Sequence, residues 1–282
     1  MQNRPVTAPD DPWRGRRYLT QVQYADDSNL AARQSIYAFQ RPRIDLFSWA
    51  LDLAGIRGPE TVLDVGCGNG NYLARLGDRQ HQGLLVGLDL SVGMLTAAAN
   101  RARRAGLVNG EAGSLPVASG TIGVVLAMHM LYHCPDRRSA ISELGRVMRP
   151  RGTTLVVTNS REHLGELDAL LTEAVREVKG GPVERIGRNA SGFPLETAGS
   201  ELQETFGRVE LHQARSELYV TDPEAVVAYA QSMSAFLTMD GPDTADAILS
   251  RVRQRATELI AELGEIRIGT AVGCFVCREA LR

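Results

Sequence analysis

The segment Val62-Leu63-Asp64-Val65-Gly66-Cys67-Gly68-Asn69-Gly70 gathers residue types suited to holding a ligand. An apolar run ends in an acid. Glycines at every second position then let the backbone pass close beneath a bound molecule before a helix begins, with its unpaired N–H groups facing that molecule. Asp89 closes the next apolar run, nineteen residues after Gly70, where a carboxylate can accept hydrogen bonds from both hydroxyls of a ribose. Together these residues point to a nucleotide-type cofactor. The spacing also selects among such cofactors: a nicotinamide or flavin fingerprint needs G-x-G-x-x-G, and its third position here is Asn71. There is no G-x-x-x-x-G-K-[ST] loop, so a P-loop nucleotide site is excluded.

A second group follows the apolar run 123–128. His129 and His133 are four residues apart, and on a helical turn they would share a face, with Tyr132 beside them. A histidine near neutral pKa suits a general base or a group that orients an acceptor. Adding Asp136 suggests a metal, but no fourth ligand has a natural spacing, so no metal is expected. Cys134, next to Pro135, is read as structural. Cys274 and Cys277 form C-x-x-C inside an apolar strand, where residues three apart face opposite sides, so packing is their expected role. Arg14, Arg16 and Arg17 read as a solvated basic cluster.

The elements that must position these groups follow from periodicity. Strands are expected at 61–65, 84–90, 123–128, 153–158, 208–219 and 267–277. Amphipathic helices fall between them, through Leu73 and Leu76, through Met94 to Ala99, and through Ile141, Leu144 and Met148. A helix is expected over Pro42–Gly55. Later helices are expected at 161–179, at 197–206, from Pro223 to about Ser234 (capped by Asp222) and at 242–263. Continuous apolar strands alternating with such helices imply a parallel sheet covered on both faces. Residues 1–28 show no sustained period, and 180–195 are a Gly/Pro-rich connection.

With these residues in place, the chain resembles the class I S-adenosylmethionine-dependent methyltransferases. The resemblance rests on the D-x-G-x-G-x-G segment, the acid ending the second strand, and the run G-E-A-G-S-L-P-V-A-S-G-T-I-G-V-V-L-A-M-H-M-L-Y-H-C-P-D over 110–136. That run is similar to the branch containing quinone-biosynthesis and natural-product enzymes, and the similarity covers about residues 40–160. It implies an α/β, doubly wound, Rossmann-like and mostly parallel seven-stranded sheet, with a helical N-terminal arm and lid insertions. The expected divisions are an arm or lid at 1–40, the cofactor-binding core at 41–160, a lid insertion at 161–200, and the rest of the core sheet at 201–282 with a helical insertion at 222–263.

The resemblance further implies S-adenosylmethionine as cofactor and S-adenosylhomocysteine as product. Asp64, Gly66, Gly68 and Gly70 would hold the methionine part and Asp89 the ribose. Leu90 and Met94 would flank adenine, with Glu111, Ala112 and Gly113 at its edge, and Ala127 and His129 would floor the site near the sulfonium. Two positions depart from the family pattern: Glu111 stands where Asp is usual, and Gly123 replaces an Asp before Val-Val.

Composition bounds the partners. Thirty-one basic against 33 acidic residues give a formal charge of −2, which supplies no general field for steering polyanions. Four scattered cysteines suit a reduced compartment, MQNRPVTAPDDPWRGRR lacks the apolar core of a secretory signal, and no apolar run approaches membrane-spanning length. A cytoplasmic enzyme methylating O, N or C of a small organic acceptor is therefore expected, of a kind found in specialised bacterial metabolism, with no membrane partner. The rival is an rRNA or tRNA methyltransferase. Against it, Ala127-Met128-His129-Met130 stands where nucleic-acid amino-methylating enzymes carry [N/D/S]-P-P-[Y/F]. A non-catalytic scaffold is disfavoured by the intact glycines and acids, and the 242–263 helix is a candidate homodimer surface.

Overall fold

The computed structural model describes residues 15–56, 58–183, 192–233 and 241–281. Trp13 and Arg14 of the expected arm, residues 184–191 of the connection and the helix end near Ser234 lie outside the described residues. One sheet runs through the molecule, with strands β1 (Gln40–Arg41), β2 (Val62–Val65), β3 (Leu85–Asp89), β4 (Gly106–Asn109), β5 (Ile122–Met128), β6 (Met148–Asn159), β7 (Phe206–Val220) and β8 (Ile266–Ala280). Their order is β1-β7-β8-β6-β5-β2-β3-β4. Strands β4, β3, β2, β5 and β6 are mutually parallel, whereas β8 is antiparallel to both β6 and β7.

Strand count differs from the sequence expectation. Eight strands form, the extra one being the two-residue β1 against the edge of β7. Strand β4 was not legible locally, because three of its four residues are exposed and no apolar run marks it. By contrast, every residue of β2 and β5 is buried, which is why both read as continuous apolar stretches. Strand order reverses at β2, which lies between β5 and β3. The carboxyl ends of these strands therefore open the crevice in which doubly wound sheets bind ligands.

Local chemistry fixes the helix ends. The Leu46–Ala54 helix starts later than the expected Pro42, because Asp45 accepts a hydrogen bond from the Ser48 N–H, and it ends at Gly55 in the left-handed region. Asp222 caps Pro223–Gln231 as expected. The Leu195–Gln203 helix crosses the expected division at residue 200 and packs on the main core through Leu195, Ala198 and Leu202. Helices Gly165–Lys179, Pro223–Gln231 and Pro242–Leu263 share a separate apolar cluster with Ile36 of the arm. Helices from both expected insertions thus share one apolar cluster. Cys274 and Cys277 sit in different core clusters, on opposite sheet faces, as strand parity requires.

The arm is ordered by what it touches. Helical turns over 16–23 and 28–39, joined by a bend at 24–27, carry the arm across the carboxyl edge of the sheet. Ser91 Oγ donates to the Tyr24 carbonyl at 2.6 Å, and Arg33 Nη1 donates to the Ser232 carbonyl at 2.9 Å. Asp27 accepts from Asn69 and Arg101, each at 3.4 Å. The closest approach is at Gly93, where an added Cβ would lie 1.8 Å from the Ala25 carbonyl oxygen. Gly93→Ala should therefore lift the arm without altering any cavity side chain. We expect a loss of roughly 1–3 kcal/mol of docking free energy, read as about fivefold to a hundredfold faster limited proteolysis between residues 15 and 40 at unchanged core stability.

Candidate active site

A cavity of about 940 Å³ occupies the crevice. At one end it is lined by Asp64, Gly66, Gly68, Asp89, Leu90, Met94, Ala112 and Gly113, and Glu111 stands at its rim. Gly66, Gly68 and Gly70 all have positive φ, at 70°, 53° and 77°, a region that side-chain-bearing residues occupy only at a cost. They do different work. A Cβ on Gly66 would lie 2.8 Å from Met130 Cβ, so this glycine lets the loops after β2 and β5 touch. A Cβ on Gly68 would meet only Leu30, at 3.9 Å, and would project into the cavity. Gly70 does not line the cavity: it starts the Asn71–Asp78 helix, and its missing Cβ admits Ala98, whose Cα would be 3.2 Å away. The expected contact of Gly70 with the ligand therefore has no counterpart in the cavity lining, and its missing Cβ serves the packing of the helix it starts.

Asp64 is buried at 1% exposure, and no described residue donates to either carboxylate oxygen. Burial first, and the nearby Asp89 charge second, push its pKa well above the usual carboxylate range. Asp89 is half-buried. Its Oδ2 accepts the Gly68 N–H and its Oδ1 the Ser91 N–H, both at 2.8 Å, yet burial still raises its pKa. Asp89 thus ties the glycine loop to the strand that carries it, and its remaining lone pairs face the cavity. Glu111 is mostly exposed and ion-paired with Arg16 of the arm. Ala127 is fully buried in the main core and does not line the cavity. Strand parity points it away, so the floor is made by Met128, His129 and Met130 instead.

His129 and His133 both line the cavity, but not on one helical face. His129 directly follows β5 in the left-handed region at φ 57°, its N–H donating to the Val157 carbonyl at 3.0 Å. His133 closes a 3-10 turn, Leu131–His133. The turn faces the arm: Tyr24 Oη and His133 Nε2 are 2.9 Å apart, and Tyr132 packs edge-on against the His133 ring. Asp136 is occupied in capping the next helix, accepting from Ser139 N at 3.0 Å and Ser139 Oγ at 2.6 Å. Among the described residues no group of three His, Cys, Asp or Glu is placed to hold a metal ion. Burial pushes the Cys134 thiol up to about 12, which leaves it a poor nucleophile.

At the far end the arm and the 161–200 stretch, both expected from the sequence to close over the carboxyl edge, contribute Tyr37 and His163, Leu164 and Asp168; the individual residues the sequence pattern missed are Asn159, His163, Leu164, Asp168 and Tyr229. Tyr37 Oη lies 2.9 Å from His163 Nε2. The available signal was position: Asn159 ends β6 at the same carboxyl edge that carries Asp64, Asp89 and His129.

A parallel sheet with a glycine loop, an acid on the second strand and a closed-over crevice defines a nucleotide-cofactor enzyme of the doubly wound class. Residues 63–156 match the family model described as a methyltransferase domain. An uncharacterised methyltransferase of Mycobacterium tuberculosis is 30% identical over 230 residues, 81% of this chain and 86% of that protein. The chain belongs to the class I S-adenosylmethionine-dependent methyltransferases.

Malonyl-[acyl-carrier protein] O-methyltransferase of Methylovorus sp. (strain MP688) is 29% identical over 56% of this chain and 54% of its own length. The 23S rRNA (guanine(748)-N(1))-methyltransferase of Streptomyces fradiae is 36% identical over 45% and 44%. The chain thus spans about half the length of these curated relatives. In fold it is similar to a Haemonchus contortus phosphoethanolamine N-methyltransferase solved with phosphomonomethylethanolamine and S-adenosylhomocysteine. The TM-score is 0.58 at 16% identity, over 94% of this chain and 60% of that one. No helix among the described residues is long and apolar enough to cross a membrane.

A buried acid whose folded pKa is raised costs stability once pH exceeds its ordinary pKa, and the cost is complete above the folded pKa. Asp64→Asn should therefore stabilise the ligand-free protein at pH 7 by roughly 1–3 kcal/mol. The gain should vanish in acid, where both forms are neutral; urea titrations at pH 7 and pH 4 read the difference.

Proposed function

We propose that this chain transfers a methyl group from S-adenosylmethionine to a small organic acceptor enclosed between the sheet edge and the arm. The observation that carries the cofactor assignment is the Asp64 carboxylate, buried and without a donor at the foot of the glycine loop. Such a group fits the ammonium of the methionine part, and Gly68 leaves room for the chain above it. Asp89 would receive the ribose hydroxyls. Leu90 and Met94 would flank adenine, with Ala112 and Gly113 at its edge and Glu111 at the rim. When bound, the cofactor supplies an electrophilic methyl on a sulfonium.

The protein's own work is alignment and exclusion of water. His129 and Met130 form the floor, and residues 15–40 with the 163–168 stretch form the cover. We assign the acceptor-facing polar role to His133, held by Tyr24, with His129 and Tyr132 beside it. A histidine there can take a proton from a hydroxyl acceptor or orient an amine. The rRNA-methylating relative favours a second reading, methylation of an extruded base. The arm lying across the cavity favours the small acceptor, because a base still attached to its strand needs an open mouth.

Methyl-labelled S-adenosylmethionine offered with separate small-molecule and RNA fractions of a bacterial extract should label the small-molecule fraction; label confined to RNA reverses the reading. Asp89→Ala should weaken cofactor binding about tenfold to a hundredfold. Affinity for the cofactor should rise as pH climbs above the ordinary carboxylate range and Asp64 ionises, and Asp64→Asn should flatten that rise, as calorimetry over a pH series would show. His133→Ala should lower turnover about a hundredfold while cofactor affinity stays within a factor of about two.

A further inference from the structure

Strand β7 has an outer edge that the rest of the fold leaves open. It runs from Phe206 to Val220, and its inner side pairs with β8 in one constant register from Arg208↔Arg278 to Val220↔Ile266. On the outer side the two residues of β1 pair with it, at Leu218 and Glu217, and the Ser216 hydroxyl donates to the Pro42 carbonyl at 2.8 Å. Over 206–216 no described backbone group pairs with that outer side. At about 3.4 Å per residue the open stretch is roughly 35 Å long.

Proteins blunt an exposed sheet edge with brevity, proline, lysine, a bulge or unpaired charge. The opposite edge of this sheet uses brevity, since β4 is only Gly106–Asn109. Strand β7 is long, holds neither proline nor lysine, and shows no register shift against β8. Its charges are largely neutralised on the chain itself: Glu210 pairs with Arg208 and, at 3.6 Å, with Arg278, and Arg215 lies 3.7 Å from Glu162. Leu211, in the middle of the stretch, is 41% exposed. A Cβ on Gly273 would meet both Leu195 and Leu211, so Leu211 shares a sheet face with the Leu195–Gln203 helix. Such an edge is a template for another strand.

We propose that residues 206–216 form an interface between two copies of this chain, β7 pairing antiparallel with β7 of the second copy about a two-fold axis at Leu211. The midpoint of the open stretch is Leu211, so rotation there pairs all of it and stops where β1 begins. Leu211 then meets Leu211 of the second copy, Glu210 its His212, Val209 its Gln213, Arg208 its Ala214 and Gly207 its Arg215. Opposite residues of like charge destabilise a strand pair, and this register contains none. An axis at Glu210 or His212 sets carboxylate against carboxylate or imidazole against imidazole. An axis at Val209 leaves part of the stretch unpaired, and one at Gln213 drives it into β1. The main-chain ladder supplies the affinity and the side chains fix the register. The interface borders the cavity without filling it, because Ala214 alone of these residues lines the wall. It is independent of which acceptor the enzyme takes.

Sedimentation equilibrium of the full chain from about 1 μM to about 100 μM should show monomer passing to dimer. Deuterium exchange of the unsubstituted chain should slow over 206–216 at the upper end of that range. A monomer throughout, or exchange there that does not depend on concentration, overturns the proposal.

Leu211→Lys sets two ammonium groups against each other on the axis and should weaken association about tenfold to a hundredfold. Leu211→Glu should do the same with two carboxylates. Because position 211 faces itself, an equimolar mixture of the two variants should dimerise again as Lys–Glu heterodimers. Circular dichroism of both should match that of the parent chain; if either fails to fold, the exchange measurement decides. A dimer that survives both substitutions lies on another surface, such as the Pro242–Leu263 helix, and overturns the proposal. A mixture that stays monomeric overturns it as well.

Discussion

The close passage of the backbone between Asp64 and Asn71 is the constraint to which the rest of the molecule answers. Three glycines with positive φ bring the end of β2 against Met130, open the space above Gly68, and start the following helix against Ala98. Only because the chain turns so tightly can the Asp64 carboxylate lie at the bottom of a cavity with no donor among the described residues. The Gly68 N–H, turned toward Asp89, then binds β2 to β3 at the switch point of the sheet. Side chains in the loop would fill the cavity or part the two strand ends.

Around that loop the protein sets two kinds of polarity. At the glycine end, acids are kept short of donors or given only backbone ones, so the surroundings welcome a cation and hydroxyl donors. At the other end the polar groups are paired with one another, Tyr24 with His133 and Tyr37 with His163, each pair joining the arm to a loop at the carboxyl edge. The arm therefore supplies half of each pair as well as a cover.

Much of the core was legible because its signals are local. The strands buried on both faces, the caps at Asp45 and Asp222, and the glycine loop ending in a helix each follow from a few adjacent residues. What was not legible depends on contacts between distant parts of the chain. Tyr24 meets His133 across 109 positions, and Tyr37 meets His163 across 126. Ala127 shows a different limit. In a strand buried on both faces, composition does not say which residue looks into the cavity, and the parity set by β6 turned Ala127 away. His129 was expected on a helical turn with His133, yet the left-handed turn after β5 breaks that relation. The short strand Gly106–Asn109 has exposed residues at a sheet edge, where pairing alone defines it.

The way the arm sits on the β3 edge has a consequence for how such a protein diversifies. At its two tightest points the arm offers only main-chain groups, the Tyr24 carbonyl to Ser91 and the Ala25 carbonyl over Gly93. Main-chain groups are common to almost every residue type, so docking at these points constrains where the arm runs far more than what it is made of. Side chains of the arm that face the cavity can therefore be exchanged without moving the chain that carries them, whereas the glycine end has no such freedom, because an added Cβ at Gly66 would meet Met130. The arm behaves as an interchangeable template laid on a permanent bed.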